Sequence, residues 1–169
     1  MMSDPQSKND LIEQLKIVQQ ALTETVQNVS PEQFNNGSAE AWSAANYLKH
    51  LILSVKPMAK ALKLPKEQLR SMFGTPDHPS ASYAELFALY KAGLANGVRA
   101  ENYDGVMPTF YRMPEGIEDE HQYLVDTWNE SNNRLLDAVQ NWTEEDLDNY
   151  QLPHAALGTR TVREMLFFT

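Results

Sequence analysis

The chain has 169 residues, is 42% hydrophobic, contains no cysteine and carries a formal net charge of −9 at pH 7. That length suits one domain with a substantial core, and an acidic surplus with no Lys/Arg stripe to offset it argues against a nucleic-acid partner. Without cysteine there are no disulfides, thiolate ligands or Cys nucleophiles, and no apolar run approaches the roughly 20 residues of a membrane span.

Met1-Met2-Ser3-Asp4-Pro5 lacks a charged region followed by an apolar run, so no signal peptide is expected and the expected location is cytoplasmic. Over residues 9–29, Leu11, Leu15, Val18, Leu22, Val26 and Val29 recur at steps of three and four, which predicts an amphipathic helix. Ser30-Pro31-Glu32-Gln33 reads as a capping box with proline in the first helical position, opening a short helix that ends near residues 36–37. Ser43 is a good N-cap for the next helix, which runs to about residue 64, and Trp42 before it is placed to pack on Tyr47 as a hydrophobic staple.

On that helix Leu48, Leu51, Ile52, Val55, Met58, Ala59 and Leu62 form the core seam, while Lys49, Lys56, Lys60 and Lys63 form a solvated ridge. His50 belongs to neither. It shares a small polar strip with Asn46 and Ser54, beside Tyr47. A titratable ring there serves as a metal ligand or acid–base group, or as a structural histidine at the bundle edge; both readings stay open. Pro57 removes one backbone hydrogen bond and should kink the helix.

Pro65 starts a brief turn through residue 72, closed by Gly74. Residues 75–80 read as a loop by their prolines, with His78 solvated. Ser82-x-x-Glu85 is a second capping box, followed by a face of Leu86, Leu89, Tyr90, Leu94 and Val98. Gly93 and Gly97, one turn apart, suggest a close approach of neighbouring backbone. Residues 102–116 interleave Pro and Gly with Tyr103, Met107, Phe110, Tyr111 and Met113, a segment that either covers an end of the core or lines a pocket.

Residues 117–142 form the third long helix, with Leu124, Trp128, Leu135, Val139 and Trp142 inward. Glu118-x-x-His121 puts a carboxylate and an imidazole on one face, but a di-iron bundle needs a second such motif, and there is none. His121 reads as a histidine bordering the core, and as a weak substitute ligand where the fold brings it near His50. Thr143 caps an acidic turn over 144–150, and residues 152–158 read as a loop. Thr161-x-x-Glu164 opens a last helix with Met165, Leu166 and Phe168 to bury. That helix has no stop signal, so it is expected to be cut short at residue 169. No Gly-x-Ser-x-Gly elbow and no Gly-rich phosphate loop occur.

The two halves share a pattern. A long helix ends, a Ser/Thr-capped acidic turn follows at Ser30 and at Thr143, and a loop leads to a second capped helix. Overlaying Ser43 on Thr161 puts Leu48 on Leu166 and His50 on Phe168, so the His50 helix and the last helix are expected to face each other, with the site between them.

Trp42-Ser43-x4-Leu48-x-His50-Leu51, the turn over 143–147, and Leu152-Pro153-His154-x3-Gly158-x-Arg160-Thr161-Val162-Arg163-Glu164-Met165-Leu166 resemble the DinB-like (DinB/YfiT) superfamily. The resemblance implies a single all-α domain over residues 1–169, a four-helix bundle with short extra helices and long loops, often a homodimer. It also implies a divalent metal, zinc or nickel, held by three histidines, of which His50 matches the one on the second helix. The other two, an H-x3-H pair on the last helix, have no match here, because they would fall beyond Thr169. His154 matches a structural loop position. The implied function is that of a divalent-metal-binding protein, a metal-dependent small-molecule transferase (thiol-dependent) or hydrolase, with Trp42, Asn46 and Tyr47 near the pocket mouth. No catalytic residue is assigned. The alternative is a non-catalytic, stress-related or interaction bundle without metal.

Overall fold

In the computed structural model, which describes residues 7–38 and 41–169, side-chain caps set most helix starts. The hydroxyls or carboxylates of Ser7, Ser30, Ser43, Ser82, Asp119, Thr143 and Thr161 each accept from the backbone N–H three residues on, satisfying donors that a helix terminus leaves open. The helices are α1 (Lys8–Gln27), α2 (Pro31–Phe34), α3 (Ala44–Ala61), α4 (Lys66–Phe73), α5 (Tyr83–Ala95), α6 (Glu120–Gln140), α7 (Glu144–Asn149) and α8 (Val162–Leu166). Three 3-10 turns, Ala100–Asn102, Asp104–Val106 and Pro108–Phe110, occupy the segment between α5 and α6.

The fold is all-α, built on α6 packing against both α1 and α3. Leu11 and Leu15 of α1, Leu48, Ile52 and Val55 of α3, and Leu124, Trp128, Leu135 and Val139 of α6 join in one buried cluster. Each such side chain contributes about 1.5–3 kcal/mol on burial. The short elements close the ends: Phe34 of α2, Leu147 of α7, and Val162 and Leu166 of α8 enter the same cluster. The indole N–H groups find acceptors, Trp128 donating to the Gln19 carbonyl at 3.3 Å and Trp142 to the Leu62 carbonyl at 3.0 Å. Among the described residues no helix is long and apolar enough to cross a membrane.

Several expectations are corrected. Residues 152–158 are not a plain loop. Strands β1 (Gln151–His154) and β2 (Gly158–Thr161) pair antiparallel with Leu152 opposite Arg160 and Pro153 opposite Thr159, and Gly158 supplies the turn with φ 72°. The brief turn after Pro65 is a full helix, α4, closed by Gly74. The third long helix starts at Glu120 rather than residue 117, because Asp119 takes the capping position. Gly93 and Gly97 do not mark a close approach: a Cβ at Gly93 would meet Val98 at ordinary distance and one at Gly97 would meet nothing. Gly97 instead lies past the end of α5 at φ 88°, a backbone region that favours glycine.

His78 is not merely solvated. Its Nδ1 is 2.8 Å from Asp77 Oδ1 and its Nε2 is 3.4 Å from Oε2 of Glu164, a fully buried carboxylate. The bond to Asp77 first, and the Glu164 contact after it, hold the His78 pKa above its ordinary value against the opposing effect of burial.

Candidate functional site

Ser43 fixes where α3 begins, and Trp42 ahead of it packs edge-on to Tyr47 with ring centroids 5.4 Å apart, as the staple requires. The same indole lies 5.3 Å from the His50 ring. His50 Nδ1 is 2.8 Å from the carbonyl oxygen of Val106, the last residue of a 3-10 turn. A carbonyl only accepts, so Nδ1 must carry the proton and Nε2 of the neutral ring is left as a bare lone pair. No described residue hydrogen-bonds that nitrogen.

His50 lines a cavity of about 430 Å³. Ser54, Pro57 and Met58 continue its α3 wall, Tyr90 and Leu94 come from α5, Tyr103 and Val106 from the 3-10 segment, Leu152 and His154 from β1, and Met165 and Phe168 from the chain end. The 102–116 segment thus fills both of its expected roles, since Tyr111 and Met113 pack on the core while Tyr103 and Val106 line the cavity. Burial, with Tyr123 beside it, pushes the Tyr111 phenol up to about 12.

The lining is predominantly apolar, and several of its polar side chains are turned to main-chain carbonyls. Ser54 Oγ donates to His50, Arg99 to Leu94 and Val98, and Thr169 Oγ1 to Leu166. His154 is held the opposite way to His50. Its Nδ1 accepts from the Ala156 and Leu157 N–H groups, both at 3.1 Å, which places the proton of the neutral ring on Nε2. Burial, reinforced by Arg160, pushes the His154 pKa down. Phe168 packs at a tilt against both His154 and Tyr90, with ring centroids 4.9 Å and 5.2 Å away.

The structure gives the expected site residues different surroundings. Trp42 packs on both His50 and Tyr47, with Tyr47 56% exposed, and neither these two aromatics nor Asn46 are among the residues lining the cavity. His121 sits at the junction of α1 and α2: Nε2 donates to the Val26 carbonyl at 2.9 Å and the ring lies 4.3 Å from Phe34. These partners differ from those of the His50 ring, which are Trp42 and the Val106 carbonyl. His154, read from the resemblance as structural, does brace the hairpin turn, yet it also lines the cavity. The repeat overlay, which set Phe168 against His50, and the resemblance, which places two family ligands on the last helix, both signalled that this helix belongs to the site.

The metal expectation is tested by the donor set. Among the described residues no group of three or more His, Cys, Asp or Glu side chains is placed to hold a metal ion. A catalytic zinc site takes three protein ligands and keeps one open position. His50 supplies one nitrogen, so the described residues do not by themselves fit a resident metal.

The family model described as DinB superfamily matches residues 14–169. No curated protein and no solved structure matches.

Proposed function

Since the chain belongs to the DinB superfamily, we propose that it binds a small, largely apolar molecule in the cavity beside His50, with His50 Nε2 as the atom that engages it. The observation that carries this reading is the 2.8 Å bond from His50 Nδ1 to the Val106 carbonyl. That bond fixes the tautomer and ring orientation before any ligand arrives, so no ordering of the imidazole opposes binding. A bare Nε2 accepts a hydrogen bond, or a proton, from an O–H or N–H of the guest, and the Val106 carbonyl stabilises the imidazolium that a proton transfer would form. The volume and apolar lining are those of a small-molecule site.

The test is calorimetric titration of 4-phenylbutan-1-ol, a neutral alcohol with an apolar body, into the wild-type protein and into Leu94→Trp, which fills the cavity from α5. Saturable binding that the variant loses supports the reading. No saturable heat, or equal binding to both proteins, overturns it.

A second reading has an observation of its own. Metal-ligating histidines commonly donate their other ring N–H to a backbone carbonyl, which is the arrangement at His50 and Val106. In that reading His50 is one ligand of a zinc or nickel ion and further donors complete the set. The transferase or hydrolase chemistry implied by the resemblance depends on those donors; the described residues carry the binding step alone. Elemental analysis of wild-type and His50→Ala protein separates the two. One metal per chain, lost in the variant, favours the metal; no stoichiometric metal in either leaves the cavity reading.

A further inference from the structure

The cavity holds two imidazoles whose tautomers are fixed in opposite senses by backbone atoms. His50 Nδ1–H donates to the Val106 carbonyl, and His154 Nδ1 accepts from the Ala156 and Leu157 N–H groups. Because a carbonyl cannot donate and an amide N–H cannot accept, neither ring is free to exchange tautomers without losing its anchor. The neutral site therefore presents one bare Nε2 acceptor, on His50, and one Nε2–H donor, on His154. Both rings line the same predominantly apolar space.

Resting on the cavity reading above, we propose that this imidazole pair selects a neutral carboxamide-type ligand: an apolar body carrying an N–H donor for His50 and a carbonyl acceptor for His154. A primary or secondary amide presents both groups from a single carbon. A carboxylate offers no proton to His50 and sets an oxygen lone pair against the Nε2 lone pair. An alkylammonium group offers no acceptor to His154. A tertiary amide keeps the carbonyl and loses the donor. An unmet buried donor or acceptor is heavily penalised in an apolar site, which is the physical basis of the discrimination. The size is adequate, since roughly 150 Å³ of apolar cavity takes a benzene and this cavity measures about 430 Å³.

The experiment is calorimetric titration at about pH 8, above the ordinary imidazole range, with 4-phenylbutanamide, 4-phenylbutanoate and N,N-dimethyl-4-phenylbutanamide, using the intact chain. The expected result is that the primary amide binds at least about tenfold tighter than either of the others, the effect of one hydrogen-bonding partner left unmatched. In His50→Ala, with folding checked by circular dichroism, the primary amide and the dimethyl amide should converge to within about threefold. Two outcomes overturn the pair while leaving the cavity reading intact. Equal binding of the three probes to the wild type shows a greasy site with no polar selection; tightest binding of the carboxylate shows that a cationic group of the lining, Arg99 or a protonated imidazole, is the anchor instead of the neutral pair. No binding of these probes or of 4-phenylbutan-1-ol overturns both. The ranking in the wild-type protein decides the matter even where the His50 variant does not fold.

Discussion

Replacing Glu164 by alanine should destabilise the protein far more than a surface carboxylate would. Glu164 is 0% exposed. Its Oε1 accepts from the Ala81 N–H at 2.9 Å, its Oε2 accepts from the Thr161 N–H at 2.9 Å and lies 3.4 Å from His78 Nε2. One side chain thus ties the loop before α5 to the start of α8. Thr161 is fully buried, so its orphaned N–H cannot rehydrate, at a cost of about 1–3 kcal/mol. The half-buried Ala81 N–H and the lost packing bring the total to about 3 kcal/mol. For a chain of 169 residues, each kcal/mol moves the melting temperature by roughly 2–4 °C, so a fall of about 6–12 °C is expected by calorimetry or circular dichroism. Glu164→Gln, which keeps one acceptor oxygen, should fall less. A shift under about 2 °C for Glu164→Ala would refute the reasoning, since that is the range of exposed substitutions. The His78 partner adds a pH signature. Its folded pKa is raised above the ordinary 6.5, so its contribution is complete below that value and is lost as pH rises through the folded pKa. The increment is small because its main partner, Asp77, is exposed.

His121→Ala removes the bond to the Val26 carbonyl and the contact with Phe34; the urea midpoint should fall by the equivalent of about 1–2 kcal/mol, and an unchanged midpoint would contradict the assignment. Gly93→Ala and Gly97→Ala should move stability in opposite directions. The first gains up to about 1 kcal/mol in helix propensity, because its Cβ meets Val98 only at 3.7 Å. The second loses about 1 kcal/mol, because φ is 88° there, and paired thermal melts in which both variants shift alike would count against this account. His154 should titrate below the ordinary 6.5, its pKa lowered by burial and then by Arg160. A lowered histidine pKa means that stability declines as pH falls below the ordinary value; an NMR titration midpoint at or above 6.5 would contradict it.

The features legible in the sequence are those whose cause is local. The caps at Ser43, Ser82, Thr143 and Thr161 are each decided within four residues, and each forms as expected. The apolar seam of α3 is likewise written in the spacing of Leu48, Ile52, Val55 and Met58, all buried. The hairpin was not legible, because four-residue strands containing Pro153 and opened by Gly158 carry no measurable alternation. The contact of His78 with Glu164 and the bond of His50 to Val106 join residues far apart in the chain, and no local pattern encodes them. The exceptions were the resemblance, which tied His50 to the last helix, and the repeat, which set Phe168 against His50; both residues line the cavity.

The account turns on which nitrogen of His50 carries the proton, and a long-range proton–nitrogen NMR correlation of the imidazole reads this directly. A neutral His50 ring protonated on Nδ1, with a bare Nε2 that shifts when 4-phenylbutan-1-ol is added, is the predicted result. Protonation on Nε2, with Nδ1 bare, would mean that the Val106 anchor does not exist and that the cavity has no preformed acceptor at His50.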